Sequence, residues 1–175
     1  GGTSTVFNGA NTTSGIDGFV TLQLTRSMIT YNANGGSGTV PTKQIQTSEA
    51  EDLTVSNTNI TRTGYTLNGW NTSADGTGTN YSAGATYNLP AAITLFAKWS
   101  ANPYEIVYDT STVTSGTMAN TALTAGTAFT LRTNAFSRVG HTFRNWNTAS
   151  NGSGTTYTNA QSVTLFSGLT LYPQW

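Results

Sequence analysis

The chain reads as a mainly β protein: two tandem small β-sheet repeats arranged end to end, each with at most a helical turn. Three observations predict this. Thr, Ser, Asn and Gly supply much of the 175 residues, whereas Leu, Glu, Lys and Arg are scarce. Thr and the aromatics suit half-buried strands, and Asn and Gly suit tight turns. Helix formers never keep a 3.6-residue period beyond about two turns, and three blocks of sequence recur at a single spacing.

The recurrence organises everything else. Gly64-Tyr65-Thr66-Leu67-Asn68-Gly69-Trp70-Asn71-Thr72 returns as Gly140-His141-Thr142-Phe143-Arg144-Asn145-Trp146-Asn147-Thr148. Gly76-Thr77-Gly78-Thr79-Asn80-Tyr81 returns as Gly152-Ser153-Gly154-Thr155-Thr156-Tyr157, and Leu95-Phe96-Ala97-Lys98-Trp99 as Leu171-Tyr172-Pro173-Gln174-Trp175. Positions 64 and 140, 76 and 152, and 99 and 175 all stand 76 apart. A register held that long marks a duplicated unit. The expected divisions are a first repeat over 28–99, a linker over 100–103 and a second repeat over 104–175. Residues 1–27 form an N-terminal strand segment. It is either the tail of a preceding repeat, since 16–22 align loosely with 89–95, or a private strand.

Within a repeat the elements follow in order. A first strand, about Met28–Asn32 and Glu105–Tyr108, alternates apolar and polar residues, and a variable polar middle follows. The next strand carries the Gly-aromatic block, in which Trp146 breaks the two-residue alternation as a bulge or strand end would. Then come Asp75-Gly76 and Asn151-Gly152, dipeptides that favour the positive φ angles of a tight hairpin turn. A closing strand alternates Ile93, Leu95, Ala97 and Trp99, matched by Leu169, Leu171, Pro173 and Trp175. The linker Ser100-Ala101-Asn102-Pro103 reaches at most about 14 Å when extended. A unit this small is marginally stable alone, so its two tryptophans carry much of the core.

Composition narrows the function. Net charge is zero and only 8% of residues are charged, so there is no electrostatic footprint for nucleic acid. Cysteine is absent, which removes disulfides, thiolate metal sites and a Cys nucleophile. The longest apolar run, Leu89 to Ala97, is far short of the roughly 20 residues of a membrane span. No signal peptide opens the sequence, so a secretion signal and an anchor are expected outside this segment.

Asn34-Gly35-Gly36, Arg62-Thr63-Gly64-Tyr65-x-Leu67-x-Gly69-Trp70-x-Thr72, Gly76-x-Gly78-x-x-Tyr81-x-x-Gly84 and Leu95-Phe96-Ala97-x-Trp99 together resemble the Listeria–Bacteroides repeat, the group that includes the internalin B-repeat. The second copy is a degenerate member. Thr110-Ser111-Thr112 replaces Asn-Gly-Gly, His141 replaces Tyr65, Asn145 replaces Gly69 and Ala160 replaces Gly84. The resemblance implies a β-grasp-like unit and a place outside the cell, on long bacterial surface proteins, where such repeats space, present or adhere. It brings no catalytic residues and no cofactor. The implied partners are neighbouring repeats of the same protein, and a host or neighbouring-cell surface protein or glycan.

Each candidate residue has a plain reading beside a sharper one. Trp70, Trp99, Trp146 and Trp175 could stack sugars, but fixed positions in a repeat that needs a core favour packing. Tyr65, Phe143, Tyr81 and Tyr157 join them as core, and Asp75, Gly76, Asn151 and Gly152 serve as turns. Glu49, Glu51 and Asp52 could hold calcium, yet the second copy has no carboxylate there, so a solvated loop is expected. His141 occupies the aromatic slot of Tyr65, which points to packing. Glu105 and Asp109 make a poor acid–base pair. A Lys–Asn crosslink is barred from the second copy, which has no lysine, and neither Lys43 nor Lys98 reads as buried. The expectation is a non-enzymatic spacer and adhesion scaffold. The alternative is a glycan- or protein-binding module using exposed aromatics.

Overall fold

The computed structural model describes residues 10–14, 20–24, 26–48 and 51–175, with side chains from residue 26 onward. Strands β1 (Ala10–Ser14) and β2 (Val20–Leu24) pair antiparallel, Ala10 opposite Leu24. The loose alignment expected for residues 16–22 lies in part outside the described residues. The chain forms two compact units, one of residues 1–62 with 67–99, the other of residues 63–66 with 100–175.

In the first copy the strands are β3 (Met28–Asn32), β4 (Gln44–Ile45), β5 (Leu53–Thr54), β6 (Tyr65–Asn71), β7 (Asn80–Tyr81), β8 (Thr86–Tyr87) and β9 (Ala92–Ala101). Five of them make one sheet in the order β4-β3-β9-β6-β7, with β3 and β9 parallel at its centre, and β5 pairs β8 in a separate two-stranded sheet. Alternation on β3 and β9 turns Ile29, Tyr31, Leu95 and Ala97 to one face. Leu53, Val55, Ile60, Trp70 and Tyr87 close over that face as a single apolar cluster.

The second copy repeats the plan with β10 (Pro103–Tyr108), β11 (Thr121–Thr124), β12 (Ala128–Thr130), β13 (Asn145–Asn147), β14 (Thr156–Tyr157), β15 (Ser162–Thr164) and β16 (Leu169–Gln174). The sheet order β11-β10-β16-β13-β14 matches the first, again with a parallel central pair, and β12 pairs β15. Its core holds Ile106, Tyr108, Leu123, Leu131, Phe136, Trp146 and Leu171.

No helix occurs among the described residues. The expected polar middle of the repeat holds short strands, and it delivers Leu53, Val55 and Ile60 to the core. The expected linker is also different: Ser100 and Ala101 belong to β9 and Pro103 to β10, leaving Asn102 alone outside a strand. Proline is tolerated at the start of a strand, where no ladder donor is needed.

Pro173 lies within β16, a central strand, where proline would normally remove a ladder bond. Leu171 O accepts the N–H of Asp109, so 171 and 173 turn their backbone polar groups toward β10. Pairing with β10 ends at the Tyr108–Leu171 partners. Position 173 has therefore passed the end of the neighbouring strand, and a proline costs nothing there.

Candidate functional site

The duplicated Trp-Asn-Thr triplet and its loop are where the two copies agree most closely. Trp70 and Trp146 are 1% and 0% exposed, each pressed against the tyrosine of the first strand. The ring centroids are 4.8 Å apart for Tyr31–Trp70 and 5.1 Å for Tyr108–Trp146. Around them the copies differ. Ile60 and Leu67 of the first are Phe136 and Phe143 in the second, and both phenyl rings meet Trp146 edge-on. The indole Nε1 of Trp70 donates to Ser56 O at 3.1 Å, whereas that of Trp146 is buried without an acceptor. Tyr81 and Tyr157, half-buried, are the cross-strand partners of the two tryptophans.

The next residue is the one that sequence reading missed. Asn71 and Asn147 are each 1% exposed, and each side chain organises the loop that follows it. The Asn71 Nδ2 donates to Gly76 O at 3.2 Å, Gly78 O at 3.0 Å and Asn80 Oδ1 at 2.8 Å. Its Oδ1 accepts the N–H of Ser73 at 2.8 Å and of Gly78 at 3.0 Å. Asn147 makes the same set, to Gly152 O, Gly154 O and Thr156 Oγ1, and from the N–H of Ala149 and Gly154. Thr72 and Thr148 then accept the N–H of Thr79 and Thr155, both at 2.9 Å. A Cβ on Gly78 or Gly154 would run into the threonine hydroxyl and stand 2.9 Å from the asparagine Oδ1. Glycine is required there by space. The repetition of Trp-Asn-Thr at a spacing of 76 was the available signal.

The turn residues sit inside this loop, which is longer than the tight hairpin turn expected. Asn71 and Asn80 are the last paired residues, and Thr72 donates on to Thr79 O, so the loop proper has six residues. Gly76 N–H closes a turn on Ser73 O, and Gly76 takes φ 78°, so the dipeptide ends the turn instead of spanning its centre. Gly152 does the same on Ala149 O with φ 78°. Asp75 Oδ1 accepts from Ser73 Oγ, Thr77 N and Thr77 Oγ1 at 2.6, 3.0 and 2.7 Å. The Ser73 hydroxyl first, then the Thr77 N–H and hydroxyl, pull its carboxyl down to about 2. Asn151 accepts from Ser153 N and Oγ in the equivalent way. A carboxylate spent on its own turn is not a general base.

Trp99 and Trp175 are half-buried. Trp99 Nε1 donates to Ala33 O at 3.1 Å, and a Cβ on Gly36 would lie 2.5 Å from its ring, so the Asn-Gly-Gly turn is the bed of that indole. Asn34, at φ 48°, ties the turn down by donating to Ala74 O and Ala97 O. In the second copy Trp175 Nε1 donates instead to Thr112 Oγ1 at 2.9 Å, and the indole meets Phe143 edge-on. The altered turn keeps a partner for the indole by other means. Tyr65 is half-buried and belongs to the second unit.

The remaining candidates assemble no chemistry. His141 is exposed, its Nδ1 2.9 Å from Val139 O, so it does not occupy a core slot as expected. A histidine in a turn closed on its own neighbours keeps its ring in water. Glu51 is exposed and accepts from Thr47 Oγ1 and Thr47 N, which lower its pKa in that order; Glu49 lies outside the described residues. Among the described residues no cluster of three His, Cys, Asp or Glu could hold a metal. Lys98 Nζ reaches Asn80 Oδ1 at 2.8 Å as an exposed hydrogen bond, and Gln174 packs on Gly152 in its place. Beside Trp70 lies an open depression of about 270 Å³ lined by Asn57, Thr58, Leu67, Asn68 and Ser82, but the indole itself is buried beneath it.

Two small mixed sheets, each fastened by a tryptophan core and an asparagine-held loop, define a tandem β-repeat protein. The chain belongs to the Listeria-Bacteroides repeat domain family, which it matches twice, at residues 28–98 and 104–174. It is similar to a protein of Evansella cellulosilytica described as a Gly-rich membrane protein, 31% identical over 84% of this chain and 18% of the relative. A second protein of that organism, described as a membrane protein, is 34% identical over 41% of this chain and 11% of the relative. The chain thus spans less than a fifth of either. No solved structure matches it. Among the described residues no helix is long and apolar enough to cross a membrane.

Proposed function

We propose that this chain is a non-enzymatic spacer and adhesion scaffold within a larger bacterial surface protein, displayed outside the cell. One observation carries the reading: Trp70 and Trp146 are spent on the two cores, at 1% and 0% exposure, and the polar loops that follow them are spent on themselves. Aromatic rings withdrawn in this way cannot stack a sugar, which weighs against the glycan-binding alternative. The strand order, with first and last strands parallel at the centre of a mixed sheet, supports the β-grasp-like unit that the family resemblance implied.

Small units that cannot bury enough surface alone gain from linkage in series, and such arrays make stalks. The partners proposed for residues 28–175 are neighbouring repeats; a surface protein or glycan of a host or adjacent cell is proposed as the partner of the parent protein, met by the parts that the repeats carry outward. The test is antibody labelling of intact cells carrying the parent protein, combined with its deletion of residues 28–175. Labelling without permeabilisation and a shortened reach with ligand binding retained are expected. Labelling only after permeabilisation would reject the surface role, and saturable glycan binding by residues 28–175 would reject the spacer role.

A further inference from the structure

Residues 63–66 are numbered with the first copy but belong to the second compact unit, and they are seated there. Gly64 O accepts the N–H of Asn102 at 2.9 Å, and Thr66 Oγ1 donates to Asn102 Oδ1 at 2.6 Å. A Cβ on Gly64 would stand 2.9 Å from the Ala125 methyl and 3.0 Å from Phe166 O. A Cβ on Gly126 would stand 2.5 Å from Tyr65 Oη. The seat is itself well built: Ala125 N donates to Asn102 O at 3.0 Å and Gly126 N to Leu165 O at 2.8 Å.

The same stretch recurs 76 residues on as Val139-Gly140-His141-Thr142, and there it meets nothing of the kind. Val139 is 82% exposed, the most exposed large apolar residue described, and a Cβ on Gly140 would find no atom within 4 Å. Yet the stretch is shaped. His141 N–H closes a turn on Arg138 O at 3.0 Å, Val139 N–H is held by Thr114 Oγ1 at 3.0 Å, and Gly140 takes φ 72° where Gly64 takes φ 81°. An ordered turn whose glycine keeps nearly the φ of its seated twin, yet faces open space where that twin meets Ala125 and Phe166, is a docking element without its dock.

We propose that Val139–Thr142 is a docking surface for a further copy of this same repeat, received by the positions that correspond to Asn102, Ala125, Gly126 and Phe166. The chemistry is that of the occupied seat: a backbone N–H and a side-chain amide for Gly140 O and the Thr142 hydroxyl, with the positions of Ala125 and Phe166 closing against Gly140 as they do against Gly64. His141 departs from Tyr65 and shortens the reach to the glycine of the seat, so His141→Tyr strengthens docking. Such docking goes beyond the spacer reading and does not depend on where the protein resides.

The test appends a second copy of residues 100–175 directly after Trp175 of the full chain and follows amide hydrogen exchange at residues 139–142. Exchange there slows by about tenfold or more relative to the unextended chain. An appended copy carrying aspartate at the position of Phe166, a half-exposed site whose change leaves the core alone, loses that protection. Equal exchange with and without the appended copy overturns the proposal, as does protection that survives the aspartate. The unextended chain supplies an independent check that needs no fusion. Phe166→Asp speeds exchange at residues 63–66 by a similar factor, and unchanged exchange there overturns the occupied seat from which the docking is inferred.

Discussion

Asn71 clasps Gly78 from both sides, its Oδ1 accepting the glycine N–H and its Nδ2 donating to the glycine carbonyl, each at 3.0 Å. Asn147 does the same to Gly154. Truncating either asparagine strands several buried polar groups of the loop at once. Asn71→Ala and Asn147→Ala should each cost about 2–4 kcal/mol, as much as many core truncations. Thermal denaturation should show only the copy carrying the change melting early. Asparagine to aspartate would keep the shape but lose the donors, and should rescue little. A melting curve identical to that of the parent chain would contradict the clasp.

The two core tryptophans look equivalent and should not behave so. Replacing either by alanine empties a buried indole site and should cost about 3–5 kcal/mol, enough to unfold its own unit. Phenylalanine separates them. Trp70→Phe leaves Ser56 O without its donor, whereas Trp146→Phe removes an Nε1 that has no acceptor. Trp70→Phe should therefore be the more damaging of the two by about 1 kcal/mol, measurable by urea denaturation of the two variants. Equal losses would show that the indole hydrogen bond is of no consequence.

Much of this was legible in the sequence, for physical reasons that differ by element. The repeat boundaries of the family match follow chemistry that cannot drift: indoles that fill a core, and Gly78 or Gly154 with no room for a Cβ. The polar middle was illegible because Leu53, Val55 and Ile60 answer to Phe129, Leu131 and Phe136. Apolar volume is shared there but identity is not, and the contributing strands are only two or three residues long. The hairpin loop was misread because Asp-Gly is a strong signal for a tight hairpin turn, while the buried asparagine at the end of the preceding strand overrides it. His141 was misplaced because its slot was judged by Tyr65, and that side chain belongs to the second compact unit.

Acid should distinguish the copies. Asp75 is held as the anion by the Ser73 hydroxyl and by the Thr77 N–H and hydroxyl, with its carboxyl lowered from 3.8 to about 2. A carboxyl lowered on folding adds stability that is complete above the unfolded value and disappears as pH falls through the folded one. The first copy should thus soften between about pH 4 and pH 2, and Asp75→Asn should remove that part of its pH dependence. Asn151 already fills the equivalent turn without a charge, so the second copy should not respond to this group. Melting temperatures at about pH 5, above that window, and at about pH 2.5, well inside it, compared between parent and Asp75→Asn, decide the matter. A variant as acid-sensitive as the parent would mean that the turn carboxylate is not coupled to folding.

Gly36 and Trp99 provide the last case, because the glycine is there for its lack of a side chain and not for an unusual backbone. A Cβ at Gly36 would come within 2.5 Å of the indole ring, with backbone oxygens of Ala33 and Thr61 at 3.1 and 3.2 Å behind it. The ring cannot slide away freely, since its Nε1 is bonded to Ala33 O. Gly36→Ala should therefore cost about 1–3 kcal/mol by overpacking, and Trp99→Ala should also destabilise the first copy by losing both contact and hydrogen bond. Combined, the two changes should cost clearly less than their sum, because without the indole the added methyl has somewhere to go. A strictly additive pair would mean that the backbone oxygens, and not the ring, exclude a side chain at position 36.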